Sequence, residues 1–142
     1  MIRKSVVLPC SPERAFALFT EEAGQWWPAD KRHTEDSASV IRIEASGRFF
    51  ERASDGTEVT LGVVRHFEPA QRLVLDWYPG TGEADATQVE VRFEPVEGGT
   101  RVTVMHDLGA ASVETFARNA PTYDCNWGPV LAALERHGSN LP

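Results

Sequence analysis

Two cysteines are all this chain has, too few for the disulfide framework of a small secreted domain. Cys10 and Cys125 are expected as free thiols, and a reducing cytoplasm is the expected compartment. No apolar run approaches the roughly 18 residues of a membrane span. The start, MIRKSVVLPC, is basic and then apolar, but Val6-Val7-Leu8 is too short for a signal peptide and Pro9 ends it. Positive charge is also in deficit: 14 Lys and Arg stand against 21 Asp and Glu, a formal net charge of -7. Phosphate-rich partners would be repelled, which argues against nucleic acid and anionic membranes. His33, His66, His106 and His137 show no metal-ligand spacing. There is no phosphate-cradling glycine loop and no Gly-x-Ser-x-Gly elbow. Repeats, low-complexity tracts and linkers are absent as well. One domain over residues 1–142 is expected, long enough for a sizeable core, with no metal and no cofactor.

What is present is alternation. Val89, Val91 and Phe93 alternate with Gln88, Glu90 and Arg92. After Glu97-Gly98-Gly99, Val102, Val104, His106 and Leu108 alternate with Arg101, Thr103, Met105 and Asp107. Period-two patterns on both sides of a Gly-Gly predict a hairpin with one face on an apolar partner. Five further strands are expected: Ile2 to Leu8, Ser39 to Ala45, Arg48 to Ala53, Glu58 to Glu68 and Arg72 to Tyr78. Val59, Leu61, Val63 and Phe67 share a face in the fourth of the seven, and Leu73, Leu75 and Trp77 in the fifth. Asp55-Gly56 is a hairpin turn, and Pro79-Gly80-Thr81-Gly82 a loop.

Helices bracket this set. Ser11-Pro12-Glu13 supplies an N-cap, a proline at the first helical position and an acid in the first turn, predicting a helix to about Thr20. Pro28 stops any second helix at Trp26-Trp27, and Asp30 to Ser37 is a polar loop. A short helical turn is expected over Ser112 to Asn119. Beyond it Tyr123, Trp127, Val130, Leu131 and Leu134 form one apolar helix stripe, with Gly138 as its stop. Pro129 lies in the first turn of that helix or kinks a longer one. A curved antiparallel sheet wrapped around the last helix follows, an α+β architecture that tends to leave a pocket between its layers.

The motifs SPERAFALFT with WWP, SGRFFE (Ser46 to Glu51), the run Asp55 to Val64, EPAQRLVLDW (Glu68 to Trp77), GGTRVTVMH (Gly98 to His106) and W-x3-L-x2-L (Trp127 to Leu134) occur in this order. In this order they resemble the bacterial group named after the C-terminal domain of the activator of the heat-shock chaperone ATPase. That group lies in the START-like (SRPBCC) superfamily. The resemblance spans nearly the whole chain and implies a helix-grip (START/Bet v 1-like) fold with a cavity. Where the group usually has Gly-Gly before the third strand, this chain has Ser46-Gly47.

Candidate site residues are those on buried parities near that cavity: Trp26, Trp27, Phe49, Glu51, Val63, Trp77, Phe93, His106, Trp127 and Leu131. His106 faces inward. A satisfied core histidine is the preferred reading, ahead of ligand contact and of a base. Glu51 would pair with His106 if it turned inward, and edge-strand exposure is preferred. Trp26 and Trp27 either cap the core or line a pocket mouth.

Three functions follow. A binding protein for a small apolar or aromatic molecule leads. A cavity enzyme of cyclase or dehydratase type, using His106 with Glu51, comes second, with no catalytic residue assigned. A co-chaperone or stress-response interaction module, which rests on the family name alone, is third. No nucleic-acid partner and no membrane insertion are expected, and a homodimer stays open.

Overall fold

In the computed structural model, residues 2–34, 36–78, 86–109 and 113–139 are described. The expected loop at Pro79 to Gly82, and Ser112, lie outside them. Strand β1 (Ile2–Leu8) leads to helix α1 (Pro12–Thr20) and the single turn α2 (Ala23–Trp26). Strands β2 (Val40–Ile43), β3 (Arg48–Arg52), β4 (Glu58–Glu68), β5 (Arg72–Trp77), β6 (Thr87–Val96) and β7 (Gly99–Asp107) follow, and helix α3 (Val113–Ser139) comes last. The strands form one antiparallel sheet in the order β1-β7-β6-β5-β4-β3-β2. This curved sheet with α3 packed against it is a helix-grip α+β fold.

Local chemistry accounts for the boundaries. Ser11 caps α1 by accepting the Arg14 amide at 3.2 Å, with Pro12 opening the helix. Gly47 takes a positive φ of 110°, so the turn before β3 needs glycine at that position and tolerates Ser46 beside it. In β6 and β7, Val89, Val91, Phe93, Val102 and Val104 are buried in one core with Leu73 and Leu75 of β5 and Phe16 and Phe19 of α1. The outer face carries ion pairs, and Arg48 lies 4.0 Å over the ring of Phe50, which explains how that outward phenylalanine is covered.

Strand β4 departs from simple alternation. Phe49 pairs with Gly62 while Phe50 pairs with Thr60, so Leu61 is an extra residue, and a second irregularity lies between Val64 and His66. Each bulge shifts the parity. Val63, expected inward, pairs with outward Arg48 and Asp76. Val64 takes the inner position, opposite Leu75 and against the core. Gly62 sits between Phe49 and Trp77 in the ladder, and a Cβ there would meet the Asp76 carbonyl oxygen at 2.1 Å. The missing side chain lets the two flanking rings close to 5.0 Å between centroids.

The region after Leu108 also differs from expectation. One helix runs continuously from Val113 with Pro121 and Pro129 inside it, rather than a short turn followed by a second helix. Each proline forfeits one ladder hydrogen bond, to the carbonyls of Ala117 and Cys125. Ala117, Pro121, Cys125 and Pro129 are all exposed, so water can take those carbonyls and the helix survives. Its buried stripe runs through Phe116, Trp127, Val130, Leu131 and Leu134.

Candidate ligand cleft

The two layers do not close completely. Between β4, β5, the segment after α2 and the middle of α3 lies a cleft of about 360 Å³. Its apolar wall is Trp27, Leu61, Trp77, Tyr123, Trp127 and Val130, and its polar rim is Asp30, Lys31, Arg32, His33 and Asn126. Three indoles and a phenol on one wall offer flat, polarizable surface with few polar handles. Trp77 is the centre of this set, its ring centroid 5.0 Å from Trp127 and 6.2 Å from Trp27.

His106 lies behind the wall, fully buried. The Trp127 Nε1–H donates to His106 Nδ1 at 3.0 Å. The imidazole proton is therefore on Nε2, which donates to Thr87 Oγ1 at 2.6 Å. The Thr87 hydroxyl donates onward to the Trp77 carbonyl at 3.2 Å. Burial pushes the His106 pKa down to about 4, against a smaller upward pull from Asp107. A neutral ring with both nitrogens engaged results. Tyr123 stacks over it with centroids 4.4 Å apart.

Glu51 is buried too, which overturns the expected edge exposure. Its carboxylate accepts the amides of His33 at 2.8 Å and Thr34 at 2.9 Å, and the Thr34 hydroxyl as well. Burial would raise its pKa, but the donors of Thr34, His33 and Ser39 outweigh that and hold it below the usual carboxylate value. Glu51 thus pins the loop that forms the rim, and it is not the partner of His106. Arg32 ties the same loop down, donating to the carbonyls of Ser39, Gly24 and Trp27 at 2.7, 2.6 and 2.9 Å.

Over residues 9–137 the sequence matches the family of Activator of Hsp90 ATPase homolog 1-like proteins. The chain belongs to this family. None of the curated proteins matches it by sequence alone. Among solved structures, CalC, a self-sacrificing resistance protein from Micromonospora echinospora, is similar at a TM-score of 0.75 and 25% identity, over 96% of this chain and 92% of CalC. DynU16, a protein of the dynemicin biosynthetic locus, gives 0.58 and 18%, over 96% of this chain and 46% of DynU16. The Aha1 dimer from Colwellia psychrerythraea gives 0.57 and 17%, over 94% and 92%. The last two show the fold alone.

In this Aha1-like chain the residues singled out from sequence separate into three groups. Trp27, Trp77 and Trp127 meet at the cleft. Trp26, Phe49, Phe93 and Leu131 lie in the core, where Trp26 Nε1 donates to the Leu18 carbonyl at 2.7 Å. His106 and Glu51 are buried polar anchors, and Val63 is on the far face. Sequence reasoning passed over the rim, Asp30 to His33, since a polar loop carries no periodic signal. It placed Tyr123 on the apolar stripe of the last helix without naming it a site residue, and it passed over Thr87, which shares the parity of Val89. Among the described residues no group of three or more His, Cys, Asp and Glu could hold a metal ion.

Proposed function

We propose that this protein is a small-molecule binding protein whose ligand, apolar or aromatic, sits between the sheet and α3. The observation that carries this reading is the wall of Trp27, Trp77, Trp127 and Tyr123 facing a cleft of about 360 Å³. That volume is at the lower end of drug-sized sites, which favours a ligand of a few rings over a long acyl chain. Binding is supported over catalysis by His106 and Glu51, because both are committed to protein partners. The fold shared with CalC, a self-sacrificing resistance protein, supports the ligand-binding reading. A single cytoplasmic domain over residues 1–142 and a homodimer, the latter in line with the Aha1 dimer, complete the reading. No helix among the described residues is long and apolar enough to cross a membrane.

Titration with a panel of two- and three-ring aromatics, followed by tryptophan emission and calorimetry, tests this. Saturable one-to-one binding that Trp77→Ala abolishes is expected. Its absence across the panel, with the fold verified by circular dichroism, would refute the proposal.

A further inference from the structure

The rim of the cleft indicates the chemistry of the ligand's polar end. Lys31 reaches from the short turn after Trp27 across to α3, where Nζ donates to Asn126 Oδ1 at 2.8 Å. Its side chain is 25% exposed, and the Asp30 carboxylate beside it is 4.0 Å away and 79% exposed. At that distance and exposure the acid neutralises little of the ammonium charge. A half-buried ammonium is thus held by a neutral amide oxygen, with no opposite charge in direct contact. Arg32, next along the rim, has no carboxylate at ion-pair distance among the described residues, although the charges of Glu51 and Asp36 behind it act on it, and its buried Nε has no hydrogen-bond partner. The carboxylates behind it are engaged: Glu51 by His33 and Thr34, Asp36 by the amides of Ala38 and Ser54. Neither lines the cleft.

We propose that the cleft selects aromatic acids, with the ring system on Trp77 and Trp127 and an anionic oxygen that displaces Asn126 from Lys31. This rests on the binding reading above and adds the ligand's charge to it. A neutral aromatic ketone of the same shape would leave the Lys31–Asn126 bridge in place or replace it with another neutral oxygen, for little gain. An acid exchanges the neutral amide oxygen for an anionic one, so that opposite charges pair in a partly dry site. In a chain of net charge -7, such a site is a local exception that a bulk charge count hides.

The test is calorimetric titration with naphthoate and its neutral counterpart acetylnaphthalene, against wild type, Lys31→Met, Lys31→Arg and Asn126→Ala. Wild type is expected to prefer the acid. Lys31→Met, which keeps most of the apolar stem, should lose about tenfold to a hundredfold for naphthoate while acetylnaphthalene binding stays within about twofold. Lys31→Arg should retain most of the preference, and Asn126→Ala, freed of the competing acceptor, should bind the acid at least as tightly. Equal affinity of wild type for both probes, or equal losses in Lys31→Met, would overturn the charge selection and leave the cleft standing. Failure of both probes to bind wild type would remove the cleft reading and this one with it.

Discussion

Replacing Trp127 with phenylalanine isolates one bond. The indole is 3% exposed, and its Nε1–H is the donor that His106 Nδ1 accepts at 3.0 Å. Phenylalanine keeps most of the contact with Trp77 and removes the donor. His106 Nδ1 is then a buried acceptor with no partner, a loss of about 1–3 kcal/mol. Alanine would remove the whole ring. A close-packed aromatic loses about 3–5 kcal/mol on such truncation, but one side of this ring faces the cleft and has fewer atoms to lose, so the lower end is expected. The phenylalanine effect should depend on His106. In a His106→Phe background no acceptor is stranded, and Trp127→Phe should then cost less than about 1 kcal/mol. Urea melts of wild type, both single variants and the double variant at neutral pH give the coupling directly. Equal costs of Trp127→Phe in the two backgrounds would show that the hydrogen bond contributes nothing and that only ring packing matters.

The pH dependence of stability follows from the same histidine. Its folded pKa of about 4 lies below the ordinary 6.5, so the unfolded chain takes up the proton first. Stability is then full above about pH 6.5 and falls as pH drops towards about 4, by about 3 kcal/mol in all. Subtracting the His106→Phe profile from that of wild type should recover this slope; matching profiles would assign the acid sensitivity elsewhere. Gly62→Ala should destabilise by about 1–3 kcal/mol or more through overpacking and weaken aromatic binding by forcing Phe49 and Trp77 apart. A thermal melt within a degree or two of wild type would mean the ladder yields without disturbing them.

Much of the fold was legible because period two is a local signal. The alternation of Val102, Val104 and His106 placed the imidazole inward, and Ser11-Pro12 marked the start of α1. Legibility ended where one residue is added or where partners are backbone groups. The bulge at Leu61 reverses Val63 and Val64 without any change in composition. Glu51 is satisfied largely by the amides of His33 and Thr34, and amides look the same in every sequence. Pro129 left the start of the last helix open, because sequence cannot show that the carbonyls freed at Pro121 and Pro129 face water. The cleft itself was only half visible. Its rings announced themselves through Trp27, Trp77 and Trp127, whereas Lys31 gains meaning only when Asn126 is brought opposite it.

The edge position of β1 bears on how the chain reaches this state. Ile2 pairs with His106 and Leu8 with Thr100, so among the described strands the earliest in sequence docks on the latest. Until β7 is made, Val6 and Leu8 lack the strand they pair with, and β1 waits while α1 and strands β2 to β6 are synthesised. Closing so long a loop is slow, and an unpaired apolar strand is exposed to wrong partners meanwhile. Arg3, Lys4 and Ser5, interposed in that strand, set charge and polarity against such partners.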